Sequence, residues 1–292
     1  MTICLSSEGN PFRRQKTSNI SQADTDLLEF PLNLEYLEAE FFLWGSLGYG
    51  LDTVAPELTG NGPSPIGARI AFLDPLIRDI ITQFAFQEVG HLRAIKNTVA
   101  GFPRPLLNLS RESFASVMNK ALGWNLWPPF DPYANDINYL IASYVIPYVG
   151  LTGYVGANPK LNSTTAKRLV AGLLGVESGQ DAVIRTLLYE RALVRVLPYG
   201  ITVAEFTDRI SNLRDNLGNA GVRDEGILLA NPNDGAEGRI RGNVLAGDKY
   251  SLAYGRTPEE ILRIVYGTGN ENKTGGLFPN GADGRIAKSH LN

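Results

Sequence analysis

Cysteine, methionine and histidine are scarce in this chain of 292 residues, which has one Cys, two Met and two His. The lone cysteine, Cys4, excludes an intrachain disulfide and any zinc site built from several thiolates. His290 lies near the C-terminus, so a Ser-His-Asp triad would have to recruit His91, which has closer carboxylates. A basic excess is missing too. The net charge is −3 and no Lys/Arg cluster occurs, so nothing draws the chain to nucleic acid or to an anionic membrane surface. The opening MTICLSSEGNPFRRQK contains no apolar run of signal-peptide length. The expected compartment is cytoplasmic if the chain is whole, and secreted or apoplastic if a leader was removed. No phosphate-binding G-x-x-x-x-G-K-[ST] loop and no G-x-S-x-G elbow is present. Charge is absent from Ile137 to Pro159, a length that could cross a bilayer. Pro147, Gly150, Gly153 and Gly156 interrupt that stretch, and Asn138, Ser143 and Thr152 dilute it. It reads as a buried helix of a bundle, with no membrane partner.

What is present is helix. Hydrophobic residues make up 43% of the chain, enough for a substantial core. Residues 1–22 are polar and read as a disordered tail. An acidic, apolar stretch runs from Ser21 to Gly50, and residues 52–67 read as a Pro- and Gly-rich loop. Asp74–Pro75 opens a long helix ending near Val99, and Ser110 caps a short one through Ala121. A third long helix is predicted over about 135–156 with a kink at Pro147, and a fourth from Ser163 or Thr164 to about Val194. Amphipathic helices follow at 202–218 and 257–267, the latter with the capping pair Thr257 and Glu260, among Gly- and Asn-rich loops. The fold class is therefore all-α. The pattern divides the chain into a tail (1–22), a four-helix bundle (23–196), and a mostly irregular C-terminal extension with accessory helices (197–292).

The chemistry lies on the core-facing stripes. At 100° per residue, Ile77, Ile80, Ile81, Phe84, Leu92 and Ile95 fall within about 60° of one direction, and Glu88 and His91 share that arc. On the fourth helix, Leu169, Leu173, Ile184 and Leu187 define a stripe that includes Glu177 and Gln180, with Asp181 at its edge. The first long helix embeds Glu35, Glu38 and Glu40 in LNLEYLEAEFFLW, and Glu38 shares a face with Glu35. No Lys or Arg occurs between Lys16 and Arg69. These acids must find partners far away in sequence, or a cation, because an unpaired buried carboxylate is costly. Glu40 reads as solvent-facing or paired with an arginine. Glu-x-x-His beside other inward glutamates is the ligand pattern of carboxylate-bridged di-iron and di-manganese bundles.

The stretches LNLEYLEAEFF, QEVGHLRAI, YVGLTGYVGANP, GVESGQDAVIR and GTGNENKTGGLFPNGADGRI resemble the plant desiccation-related proteins, a ferritin-like family. The resemblance covers the chain from about Ala23 onward. It implies a ferritin-like bundle and a link to water-deficit stress. Carried over by position, Glu35, Glu88, His91 and Glu177 match metal ligands of the ferritin-like pattern. The third-helix glutamate, expected near Pro147, is missing, because no carboxylate occurs between Asp136 and Lys160. Gln180 stands where a histidine is expected.

The first expectation is a ferritin-like stress protein, protective or binding in role, whose di-metal site is reduced to one Fe or Mn or to none. Glu35, Glu88, His91 and Glu177 would be the ligands, with Glu38, Gln180 and Asp181 as weaker ones. The second is a metal-independent enzyme that uses Glu88, His91 and Glu177 for acid–base catalysis on a small molecule, with Tyr144 and Tyr148 in support. The third is a di-iron or di-manganese oxidase with Asp181 or water completing the site. A plain buried charge pair, neutralised by Arg78, Arg93, Arg185 or Arg191, remains beside them.

Overall fold

Caps and breaks in the sequence set the helix boundaries. In the computed structural model, which describes residues 20–291, Ser21 accepts a hydrogen bond from the Asp24 amide and starts α1 (Gln22–Glu29). Residues 1–19 of the expected tail, with Cys4, lie outside the described residues, and its last two positions already belong to this cap and helix. Pro31 separates α1 from α2 (Leu32–Leu47), which ends where Gly48 takes a φ of 82°, a conformation that glycine adopts without strain. Two one-turn helices, α3 (Leu51–Val54) and α4 (Pro56–Thr59), occupy part of the segment expected to be loop. The Asp74 side chain accepts from the Ile77 amide, and Pro75 opens α5 (Pro75–Thr98). Ser110 caps α6 (Arg111–Leu122).

The third bundle helix is two pieces rather than one kinked rod: α7 (Asp136–Val145) and α8 (Pro147–Ala157). Pro147 has no amide hydrogen and its ring crowds the carbonyl one turn back, so the ladder is interrupted. After α9 (Thr164–Tyr189) the chain leaves the helix before Val194. It forms turns and a two-stranded antiparallel hairpin, β1 (Arg195–Val196) with β2 (Ile201–Thr202), Arg195 opposite Thr202. Then come α10 (Val203–Gly218), α11 (Pro258–Val265) with its Thr257–Glu260 capping box, and α12 (Arg285–Ser289).

The bundle consists of α2, α5, the α7–α8 pair and α9. α2 packs along α5, and α8 along α9. α10 and α11 lie over α6, α7 and α8. The Asn33 side chain exchanges hydrogen bonds with the Asp283 backbone, at 2.9 and 2.7 Å, and ties the C-terminal region to α2. Covered in this way, α2 is buried on nearly every side, which explains a helix apolar all round. The uncharged α7–α8 segment is equally internal: 78% of its most apolar window is buried in the protein, so the core accounts for its hydrophobicity.

Glu40 is buried and paired with Arg104, not solvent-facing. Arg104 also forks onto Asp52 at 2.9 Å and donates to the carbonyls of Gly62 and Pro63, pinning the α3–α4 segment to α2. Arg104→Ala would leave Glu40 buried without a counter-charge. It is expected to cost about 3–5 kcal/mol, read as a lower midpoint in urea denaturation.

Candidate metal centre

Three helices aim acids at one point in the bundle. α2 supplies Glu35 and Glu38, one turn apart; α5 supplies Glu88 and His91; α9 supplies Glu177. His91 Nδ1 lies 3.1 Å from Glu35 Oε2, 3.1 Å from Glu88 Oε2 and 3.6 Å from Glu177 Oε1. One ligand atom from each of these four residues falls within 4.8 Å of the others. His91 is 7% exposed and the four glutamates 1% or less. Four of the sequence-predicted ligands thus meet, and Glu38 stands beside them.

The surrounding helices orient these groups. Tyr154 on α8, which the sequence patterns did not single out, donates its hydroxyl to Glu35 Oε1. Its position four residues after Gly150, on the same helical face, was the available signal. Gln180 Nε2 donates to Glu88 Oε1 at 2.6 Å and to Gln87 Oε1 at 3.0 Å. The amide in the place of the missing histidine therefore braces a carboxylate.

Charge is not balanced here. Burial pushes the Glu35 carboxyl up, but the His91 charge and hydrogen bonds from His91, Glu88 and Tyr154 outweigh it and hold Glu35 below its usual range. Burial, then repulsion by Glu177 and Glu35, drives Glu88 well up. Burial, then Glu177, Glu88 and Glu35, does the same to Glu38. Burial lifts Glu177 to about 7 despite its bond to His91. Burial alone would lower His91, but Glu35, Glu177 and Glu88 raise it far above its ordinary value. One imidazolium cannot neutralise four acids, and among the described residues no Lys or Arg pairs with them. Both oxygens of Glu38 and Oε2 of Glu177 have no hydrogen-bond partner. Partnerless buried oxygens around one imidazole are the donor set of a hard divalent cation such as Mn or Fe. The group could hold a metal.

The arginines expected to neutralise the cluster are engaged elsewhere. Arg78 donates to the Ser46 and Ala71 carbonyls, Arg93 pairs with Glu57 on the surface, and Arg191 bonds the Leu187 carbonyl. Arg185 belongs to a second buried cluster, which also takes Tyr144, Tyr148 and Asp181 away from His91. Tyr144 bonds Ser211 at 2.7 Å and accepts from Arg185 at 3.1 Å, while Tyr148 donates to the Arg223 carbonyl at 3.2 Å. The guanidiniums of Arg185, Arg214 and Arg256 surround the Tyr148 ring at 5.8, 5.2 and 5.6 Å. Arg214 pairs with Asp224 and Arg256 with Asp215, and Asp181 feels Arg185 and Arg214. Three cations face three aspartates, so this cluster needs no further ion. The acid–base reading also requires room beside Glu88 and His91. An apolar cavity of about 320 Å³, lined by Leu34, Leu37, Val149, Ile210 and Leu217 among others, borders neither residue.

The family model described as "Ferritin-like domain" matches residues 23–190. The chain is 66% identical over 244 residues to the desiccation-related protein PCC13-62 of Craterostigma plantagineum, covering 84% of this chain and 78% of that one. It is 57% identical over 281 residues to the ferritin-like catalase Nec2 of Nesocodon mauritianus, covering 96% of this chain and 90% of the relative. No solved structure matches it significantly.

The raised acids fix the sign of a pH effect. Between its ordinary 4.5 and about 7, folded Glu177 keeps a proton that the unfolded chain has lost, so stability falls as pH rises. Above its ordinary 6.5, His91 acts in the same direction, because the fold keeps its proton. Chelator-treated protein is therefore expected to melt at a lower temperature at about pH 8 than at about pH 5.5, and Glu177→Gln should flatten that slope. Calorimetric scans across that range provide the check.

Proposed function

This chain belongs to the ferritin-like domain family, and from that premise we propose that it protects against stress by disproportionating hydrogen peroxide at a manganese or iron centre held by Glu35, Glu88, His91 and Glu177. The observation that carries the reading is the buried surplus of carboxylate around one imidazole, with no Lys or Arg among the described residues to balance it. The likeness to a protein named as a ferritin-like catalase supports peroxide as the substrate, and the likeness to a desiccation-related protein supports the protective setting.

Two peroxides become two waters and one oxygen molecule. One peroxide gives up two electrons and two protons; the other takes them and its O–O bond breaks. When bound, the metal would supply the electron store that lets these halves occur in turn. The chain's own residues do the rest. Tyr154 is held neutral by burial and by the nearby Glu35, so it donates to Glu35 rather than competing as an anion. Gln180 fixes Glu88 in the same way. Such outer hydrogen bonds set which carboxylate oxygen faces the centre. The closed surroundings exclude bulk water and large substrates.

Protein loaded with Mn(II) or Fe(II) and freed of excess is expected to release oxygen from hydrogen peroxide, followed at an oxygen electrode. His91→Ala should reduce the rate at least about 100-fold, and Tyr154→Phe about 10-fold. Failure of both metal forms to evolve oxygen above the free ion would sink the catalase reading.

A further inference from the structure

Gly150 stands on α8 where the third bundle helix would have to present its carboxylate. A side chain built there would begin 3.1 Å from Glu38 Oε1 and 3.5 Å from Glu177 Oε2. Both atoms are buried carboxylate oxygens without a hydrogen-bond partner, and so is Glu38 Oε2. Glu38 is 1% exposed, and among the described residues the groups that bear on it are three glutamates and His91, with no Lys or Arg. The absence of a side chain at 150 is thus what gives the Glu38 carboxylate its room.

We infer that Glu38 supplies, from the first bundle helix, the carboxylate that the third helix lacks, and that with Glu177 it completes a position for a second divalent cation beside Gly150. The inference rests on the metal reading above and deepens it: the centre takes two ions. Charge supports this. Four ionised carboxylates carry four negative charges, and His91, acting as a neutral ligand, carries none. One divalent cation leaves half of that charge buried, whereas two cancel it. A carboxyl kept neutral at 38 instead would still hold two unbonded oxygens away from water, which a leucine of similar size would avoid. The second position is built from oxygen. Gln180, in place of a histidine, turns its amide nitrogen to Glu88. An oxygen-rich pair of sites favours manganese(II) over the softer zinc or copper ions.

Metal content decides the matter without reference to turnover. The full chain is stripped with chelator, incubated with Mn(II) alone, desalted and analysed by mass spectrometry for manganese per chain. Wild type is expected to hold two ions and Glu38→Gln one. The double variant Glu38→Ala with Gly150→Glu, which moves the carboxylate back to the third helix, is expected to return to two. Electron paramagnetic resonance gives a second readout. Wild type and the double variant should show the broadened signal of a coupled Mn(II) pair, and Glu38→Gln the hyperfine-split signal of an isolated ion. Two ions retained in Glu38→Gln would remove Glu38 from the centre and overturn the inference. One ion in wild type overturns it too, but leaves the metal reading standing. No ion in wild type, with either Mn(II) or Fe(II), defeats both. Should Glu38→Gln fail to fold, the double variant against Glu38→Ala alone reads the same difference.

Discussion

An excess of buried negative charge at the centre of the bundle constrains the rest of the molecule. Four glutamates from α2, α5 and α9 point at one imidazole, away from water, and no guanidinium or ammonium of the described residues stands beside them. A charge of that kind is tolerated only if protons or cations come with it. Positioning it requires helices whose caps and packing leave little freedom. α2 is enclosed on nearly every side, α5 is fixed by the Asp74 cap, and α8 approaches closely enough that a side chain at Gly150 would begin 3.1 Å from Glu38 Oε1. The hydrogen bonds from Tyr154 and Gln180 then decide which oxygens remain free.

The two buried polar clusters have similar residue types and opposite character. Around Tyr148, three arginines meet three aspartates and several backbone carbonyls, and the result joins the bundle to α10 and to the loops after it. Its charges cancel, so it serves as a structural joint. The cluster around His91 has one basic group for four acids. The difference in balance, rather than burial or shifted acidity alone, separates a site that needs a ligand from one that is already complete.

Much of the site was legible in residue spacing. Glu88 and His91 fall on an apolar arc of a well-capped helix, and Glu177 falls on another, so periodicity alone turns them inward. The resemblance to the desiccation-related proteins agrees with the family match and with the relatives. Asp181, at the edge of the fourth-helix stripe, and Tyr144 and Tyr148, expected in support, occupy helix faces that look toward α10 and the segment after it, not toward His91. Periodicity says that a side chain is buried and does not say against which neighbour. Tyr154 escaped notice because its only signal, four residues after Gly150 on one helical face, means something only once that face is known to look at the acids.

The early end of α9, the short hairpin and the split at Pro147 show the same division at the level of the backbone. Proline chemistry is local, and the sequence announced a disturbance there; whether the helix bends or breaks depends on what packs around it. By itself, then, the sequence determined the helices, their caps, the inward faces of Glu35, Glu88, His91 and Glu177, and the lack of a carboxylate on the third helix. Those properties follow from residue type and from the turn of a single helix. Only the tertiary structure decided that no arginine among the described residues reaches the acids, that Gln180 braces Glu88, and that Glu38 faces the space left by Gly150. Those facts depend on distances between helices that are far apart in the chain, and no local pattern encodes them.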